Sequence, residues 1–197
     1  NYSGSTSLGR AYRERLYGAW GLVDVRDCID AAHHLIDAGL VDPNRLAIMG
    51  GSAGGFTTLA ALTTSKIFSA GISQYGVADL EALSRDTHKF ESRYNDTLIA
   101  PYPAERHIHQ ERSPINHIDQ LSAPMLLLQG GLDRVVPVDQ AQAMFEAARA
   151  KGLDAELVIY EDEGHGWRQA PTIEDAYTKI INFLGRIWHF TPKATKD

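Results

Sequence analysis

The chain has 197 residues, of which 44% are hydrophobic and 22% are charged, and its formal net charge is −6. This length accommodates one α/β domain with a substantial core but is short for two domains. The negative charge argues against nucleic acid as a partner, and the apolar runs fall far short of a membrane-spanning segment.

The cysteine content and the first residues bear on where the chain comes from. Cys28 is the only cysteine, so no internal disulfide can form, and a reducing compartment such as the cytoplasm is expected. The chain starts at Asn1 without an initiator methionine, which suggests that the sequence begins in the middle of a fold. We therefore expect it to be a fragment or a processed domain.

The first predicted elements are a loop and a long helix. Residues 1–12 are rich in Gly, Ser and Thr and predict a loop. From residue 17 to about 38, apolar side chains recur at helical spacing, and Gly39 follows where a left-handed cap would end the helix. The pattern places Asp24 on the solvated face of this amphipathic helix.

The next stretch combines a strand, a sharp turn and a helix. Residues 46–49 are apolar and of strand length, Gly50-Gly51-Ser52-Ala53-Gly54 matches G-x-S-x-G, and a helix of small and apolar residues follows. Small residues are needed two positions before and after the serine, because larger side chains would strike the adjacent backbone. The serine hydroxyl then projects above the sheet, and the helix N-terminus favours negative charge beside it. Ser52 is therefore the candidate nucleophile; the alternative is a glycine-rich turn with an incidental serine.

A long polar connection follows the second strand, which is predicted at residues 69–75. Residues 76–120 are irregular, with short helices predicted near 79–85 and 90–95, and a connection of this length is usually functional. Its histidines lack metal-ligand spacing and are expected on the surface. They are His88, His107, His109 and His117.

The remaining elements alternate between strand and helix. Strands are predicted at residues 124–129 and 155–160. Helices are predicted at residues 138–151 and from Thr172, which caps the last helix, to about residue 189. This alternation predicts a mostly parallel sheet covered by helices on both faces.

Three loops that follow strands each offer one side chain with matching chemistry. Ser52, Asp133 and His165 occur in the chain order of the α/β-hydrolases, and the carboxyl ends of parallel strands meet at one edge of a sheet. A neutral imidazole can remove the serine proton, and a carboxylate can fix the imidazole tautomer and stabilise the imidazolium. Asp139 is the rival candidate for the acid.

The oxyanion hole of this fold uses two N–H groups. One is the N–H of Ala53, which follows the candidate nucleophile. The other comes from a loop near an earlier strand, and no His-Gly-Gly segment occurs in this chain. We therefore expect that loop, and the first strands of the sheet, to lie upstream of Asn1.

Short motifs extend in order along nearly the whole chain. They are Asn1-Tyr2-Ser3-Gly4-Ser5, Trp20-Gly21 with Asp24-Val25, Asp42-Pro43-Asn44-Arg45, Gly50-Gly51-Ser52-Ala53-Gly54-Gly55, Ser113-Pro114, Asp133-Arg134-Val135-Val136-Pro137 and Gly164-His165-Gly166. Together they resemble the catalytic domain of the prolyl oligopeptidase family, and more narrowly its acylaminoacyl-peptidase and dipeptidyl-peptidase-like branch.

The resemblance implies a serine peptidase with an α/β-hydrolase fold that hydrolyses short peptides through an acyl-enzyme. It implies that Ser52, Asp133 and His165 form a catalytic triad, with no metal and no cofactor. It also implies that residues 1–197 are the C-terminal part of the catalytic domain, without its first strands. The partner of this part would be an N-terminal β-propeller domain of the parent chain.

The resemblance further implies a substrate pocket. Arg134 either binds a substrate carbonyl or braces its own loop. The residue before the scissile bond would be enclosed by four side chains, for which ordinary hydrophobic packing is the alternative. They are Tyr75, Val77, Phe90 and Tyr94.

Two other functions stay open. One is a carboxylesterase that uses the same triad on small acyl esters. The other is an inactive fragment that lacks part of its oxyanion hole. A parallel sheet without its first strands also exposes an apolar edge, so we expect either self-association into a homo-oligomer or upstream residues bound to that edge.

Overall fold

The computed structural model describes residues 1–86 and 93–193. The helices and strands, in chain order, are α1 (Arg10–Arg13), α2 (Val23–Asp37), β1 (Ala47–Gly51), α3 (Ala53–Thr64), β2 (Ala70–Gln74), α4 (Leu80–Asp86), α5 (Tyr94–Leu98), α6 (Arg106–Arg112), β3 (Met125–Gly130), α7 (Val138–Ala150), β4 (Ala155–Tyr160) and α8 (Ala170–Trp188).

The four strands lie side by side in chain order and all run parallel. Ile72 in the middle of β2 pairs with Met49 of β1 and with Leu126 of β3. Because the strands are parallel, the loops that leave β1, β3 and β4 at their carboxyl ends share one edge of the sheet. The predicted parallel sheet is confirmed, although β1 ends two residues later than predicted, at Gly51.

Alternating residues of β3 pack against helices on opposite faces of the sheet. Met125 and Leu127 belong to the core beneath α2, α3 and α7, whereas Leu126 and Leu128 pack with Phe183 of α8. Every residue of β3 is buried, which explains its nearly continuous apolar run. The prediction of helices on both faces is confirmed. No helix within the described residues has the length and apolarity needed to span a bilayer.

The N-terminal region differs from the prediction in two places. α1 and a 3₁₀ turn at Thr6–Leu8 lie largely within the predicted loop, and the long helix starts only at Val23, six residues later than predicted. Gly18 and Gly21, which precede it, have φ values of 64° and 85°, outside the range of a right-handed helix. Because Trp20 between them is also buried, the apolar spacing continues across these turns and predicts too long a helix.

Asp24 is buried, so its prediction as a solvated residue is wrong. Its exposed fraction is 0%, and its carboxylate accepts hydrogen bonds from the Gly21 N–H and the Thr57 hydroxyl. Burial raises the pKa of Asp24. The carboxylate connects the start of α2 to α3, the helix that follows Ser52. Local sequence does not reveal this role because the partner hydroxyl lies 33 residues away.

The connection between β2 and β3 contains α4, α5 and α6. The helix predicted near residues 79–85 corresponds to α4. The helix predicted near residues 90–95 falls mostly outside the described residues, and α5 starts at Tyr94.

His109 is buried within this connection, so its prediction as a surface histidine is wrong. Its Nε2–H donates to the Ala100 carbonyl at 2.9 Å, and its Nδ1 accepts from the Ser84 hydroxyl at 3.1 Å. Both ring nitrogens are therefore satisfied without water, which allows burial of a polar ring. His107 is exposed, as predicted, whereas His88 lies outside the described residues.

The start of α8 differs from the predicted cap at Thr172. The helix begins at Ala170, and its N-cap residue, Gln169, makes no side-chain capping bond. The carboxylate of Glu163 instead accepts hydrogen bonds from the Arg168 and Gln169 N–H groups. Those backbone hydrogen bonds, led by the one from Gln169, lower the pKa of Glu163. A carboxylate in the preceding loop thus fixes the entry into the helix and leaves no need for a local cap.

Candidate active site

Ser52 lies on a strained turn between β1 and α3. Its φ and ψ are 55° and −118°, a conformation that non-glycine residues rarely adopt and that is often found at functional sites. The turn is fixed from behind, because the Ser52 N–H donates to the Gln74 carbonyl at 2.9 Å. A Cβ atom at Gly50 would lie 2.3 Å from the Gly54 carbonyl oxygen. A residue without a side chain is therefore required two positions before the serine, as predicted.

The glycine two positions after the serine has a different role from the one predicted. A Cβ atom at Gly54 would meet no atom within 4 Å, so the predicted clash of a side chain there is wrong. The close approach occurs one residue later, where a Cβ atom at Gly55 would lie 2.5 Å from the Gly76 Cα. At Gly54 the close contact involves its carbonyl oxygen, which lies near the Cα of Gly50. The absence of a side chain at Gly55 allows α3 to pack against the turn that follows β2.

The structure joins Ser52, His165 and Asp133 in one chain of hydrogen bonds. His165 Nε2 lies 2.7 Å from Ser52 Oγ, and His165 Nδ1 lies 2.8 Å from Asp133 Oδ2. Since the carboxylate accepts from Nδ1–H, Nε2 carries the lone pair and the serine hydroxyl donates to it. Asp139, the rival acid, lies exposed in the first turn of α7.

The carboxylate of Asp133 is surrounded by donors. Its side chain is 0% exposed, and Oδ1 accepts from the Val135 and Val136 N–H groups at 2.8 and 2.9 Å. Burial alone would raise the pKa of Asp133, but the hydrogen bonds from His165 and from these two N–H groups outweigh it and hold the pKa below its usual range. The group is therefore ionised at neutral pH and fixed in orientation.

Aromatic rings hold the loop that carries His165. The Tyr75 ring packs edge-on against the imidazole, with centroids 5.1 Å apart, and against the Trp167 ring at 4.9 Å. The Trp167 Nε1–H donates to the Gln74 side-chain oxygen at 2.8 Å. Tyr75, predicted as a pocket wall, is not among the described residues that line the cavity beside Ser52. Its ring instead contacts the imidazole of His165.

A cavity of about 390 Å³ opens beside Ser52. Val77 and Tyr94, two of the predicted pocket residues, line it, whereas Arg134 is exposed on its loop and lies outside the lining. Phe90 lies outside the described residues. Several further lining residues were missed, because they come from segments far apart in sequence and share no local pattern. They are Tyr2, Leu16, Trp20, Leu83, Asn95, Leu98, Val135 and Val136.

Ala53, the predicted oxyanion donor, lies directly after Ser52 at the start of α3. It is the first residue of α3, so its N–H has no partner within the helix. It also lines the cavity together with Ser52.

Comparison with known proteins finds matches over nearly the whole chain. The model of the prolyl oligopeptidase family matches residues 1–190. The chain is 29% identical to dipeptidyl peptidase family member 6 of Caenorhabditis elegans, covering 93% of this chain and 26% of that protein. It is 31% identical to dipeptidyl aminopeptidase BIII of Pseudoxanthomonas mexicana, covering 85% of this chain and 25% of that protein. The chain thus spans about a quarter of the length of these curated relatives.

Solved structures show the same fold. A puromycin-hydrolyzing peptidase of Mycobacterium tuberculosis matches with a TM-score of 0.95 and 46% identity, covering 100% of this chain and 30% of that one. A puromycin hydrolase matches with a TM-score of 0.95 and 38% identity over the same shares. These matches confirm the predicted α/β-hydrolase fold.

Proposed function

This chain belongs to the prolyl oligopeptidase family, and we propose that it carries the catalytic groups of a serine peptidase that cleaves short peptides and aminoacyl amides. The observation that carries the proposal is the hydrogen-bonded chain from Ser52 through His165 to Asp133, which opens on an apolar cavity. Because the chain spans about a quarter of its curated relatives, the activity of the whole protein is part of this proposal. The N-terminal β-propeller, expected as the partner of this chain, is also part of the proposal.

Acylation begins with attack of Ser52 Oγ on the carbonyl carbon of the substrate. The hydroxyl proton passes to His165 Nε2, 2.7 Å away, as the new C–O bond forms. Asp133 stabilises the resulting imidazolium through its bond to Nδ1. The carbonyl oxygen becomes an oxyanion and accepts a hydrogen bond from the Ala53 N–H. When the C–N bond breaks, the leaving amine takes the proton from Nε2.

Deacylation repeats these steps with water as the nucleophile. His165 Nε2 removes a proton from water, the hydroxide attacks the acyl carbon, and Ser52 leaves with the returned proton. The lowered pKa of Asp133 keeps its charge in place through both half-reactions. A second oxyanion donor, which this fold normally provides, would supply a further factor of about 100 to 1000 in turnover.

The cavity favours an apolar side chain on the acyl side of the scissile bond. None of its described lining residues is Asp, Glu, Lys or Arg, so a charged substrate side chain would lose its hydration without gaining a partner. Val77, Leu83 and Trp20 offer apolar contacts. Because two similar structures are of puromycin-hydrolysing proteins, we include aromatic aminoacyl amides among the proposed substrates. Arg134, exposed outside the cavity, is proposed to contact a more distant carbonyl of the substrate.

A fluorophosphonate probe tests the nucleophile. We expect full-length wild-type protein to be labelled and Ser52→Ala to remain unlabelled, because the probe reacts with an activated serine hydroxyl. Continued labelling of the variant would remove Ser52 from this role. The inactive fragment is tested on residues 1–197 alone: absence of labelling in that folded chain would favour it, and stoichiometric labelling would refute it.

Paired substrates test the reaction class. We expect hydrolysis of phenylalanyl p-nitroanilide as well as of a p-nitrophenyl ester, since the cavity and triad suit both leaving groups. Hydrolysis of the ester alone would replace the peptidase with the carboxylesterase.

A further inference from the structure

Gln129 occupies an unusual position behind the carboxylate of Asp133. It is the fifth residue of β3 and is 0% exposed. Its Nε2 lies 2.9 Å from the Val136 carbonyl oxygen, 3.2 Å from Asp133 Oδ2 and 3.4 Å from the Gly130 carbonyl oxygen. Val136 and Asp133 belong to the loop that carries the carboxylate, Gly130 is the last residue of β3 before it, and all three groups are acceptors.

These acceptors determine how the amide is oriented. If the amide were turned over, its oxygen would face three oxygens, so the NH₂ group must point at the loop. Oε1 is then directed elsewhere, and within the described residues it is buried without a hydrogen-bond partner. A buried, unpartnered acceptor is unfavourable. An apolar residue, like the four that precede Gln129 in β3, would avoid that cost.

We propose that Gln129 is a positioning residue for Asp133: its amide holds Oδ2 and closes the loop from Gly130 to Val136, so that the carboxylate faces His165. This inference rests on the proposed peptidase function. Oδ2 accepts from both His165 Nδ1 and Gln129 Nε2. The amide therefore shares the oxygen that the imidazolium needs, and it disperses part of the negative charge.

Loss of the amide should change how strongly the carboxylate attracts the imidazolium. Without the Gln129 donor, more of the charge on Oδ2 acts on His165, so the protonated imidazole becomes more stable. The enzyme would then need a higher pH to expose the neutral base.

The other ionisable groups near this pair are few in the described residues. The Tyr75 phenol, from the loop after β2, faces the imidazole, and burial raises its pKa. Arg134 and Asp139 are exposed beside the loop. Glu163 lies in the loop after β4, two residues before His165. Its carboxylate already accepts hydrogen bonds from two N–H groups at the start of α8. None of these groups changes in the variants below.

Three variants of the full-length protein test the inference. Gln129→Met removes the donor at nearly constant volume, and Gln129→His retains a ring N–H that can donate. Gln140→Met is the matched control. Gln140 is also buried, but its oxygen accepts from the Ala78 and Asp79 N–H groups and does not touch Asp133.

The readout is the pH profile of kcat/KM on phenylalanyl p-nitroanilide. For Gln129→Met we expect the acid limb to move up by about half a pH unit and kcat to fall roughly tenfold with KM within about twofold, because only the base is affected. Gln129→His should restore most of both quantities. Gln140→Met should leave the acid limb in place even if its melting temperature falls.

Two results would overturn the inference. One is a Gln129→Met protein whose pH profile keeps the wild-type acid limb. The other is an acid limb that moves as far in Gln140→Met as in Gln129→Met. If Gln129→Met does not fold, Gln129→Asn, whose shorter side chain cannot reach Oδ2, must show the same upward shift. Failure of the proposed function is distinguishable, since the wild-type protein would then hydrolyse no anilide.

Discussion

Replacing Asp133 with asparagine preserves the shape of the side chain but changes which atoms face His165. The Val135 and Val136 N–H groups donate to Oδ1 at 2.8 and 2.9 Å, so the asparagine must keep its oxygen there. Its NH₂ group then occupies the place of Oδ2, which accepts from His165 Nδ1 at 2.8 Å and from Gln129 Nε2 at 3.2 Å. Two donors cannot face each other, so the imidazole must accept at Nδ1 and carry its proton on Nε2.

In that tautomer the base is blocked. Nε2–H would face Ser52 Oγ and could not take the serine proton. We expect kcat to fall roughly 10⁴-fold, which corresponds to about 5.5 kcal/mol of transition-state stabilisation. Circular dichroism should show a folded protein, because the two N–H bonds to the side chain remain.

The assay is kcat on phenylalanyl p-nitroanilide, with the rate of fluorophosphonate labelling measured in parallel. Asp139→Asn is the matched control, because Asp139 was the rival acid and lies exposed on α7; we expect its kcat to stay within about twofold. An Asp133→Asn enzyme within tenfold of wild type, or a larger loss in Asp139→Asn, would refute the assignment of the acid.

Three further predictions concern stability. Gly50→Ala should lower the free energy of unfolding by about 1–3 kcal/mol, because its Cβ would lie 2.3 Å from the Gly54 carbonyl oxygen. Gly54→Ala, with no atom within 4 Å of its Cβ, should have a melting temperature at or above that of the wild type. Equal losses of stability in the two variants would contradict the geometry of the turn. The lowered pKa of Asp133 adds stability above the unfolded value of about 3.9, and this stability is lost as the pH falls through the native pKa. The difference in urea midpoint between wild type and Asp133→Asn should therefore shrink from pH 6 to pH 3, and a difference that grows would argue against it. His109→Phe should cost about 1–3 kcal/mol in urea unfolding, because the Ser84 hydroxyl and the Ala100 carbonyl lose their partner; an unchanged midpoint would show that this bonding is dispensable.

The sequence is most informative where function depends on neighbours along the chain. The turn at Ser52 could be predicted because strand, glycines and helix are consecutive. Asp133 and His165 could be placed near it because parallel strands bring the loops at their carboxyl ends to one edge. Topology alone thus converts three distant residues into one site.

The parts that could not be predicted depend on partners far apart in the chain. The Asp24 carboxylate is satisfied by Thr57 on another helix, so its charge suggests solvent while the structure buries it. Gln129 follows four apolar residues of β3 and gives no local sign that its amide meets the Asp133 loop. The cavity likewise combines Tyr2, Leu83 and other residues from separate segments, and no periodicity connects them.

Trapping the acyl-enzyme tests the central claim most directly. The full-length protein would be mixed with a slowly deacylating aminoacyl p-nitrophenyl ester, quenched in acid and digested for mass spectrometry. We predict that the acyl group is found on the peptide that contains Ser52, at up to one group per chain, and that Ser52→Ala carries none. Turnover with the acyl group on another residue, or with no acylated peptide on rapid quenching, would contradict the account.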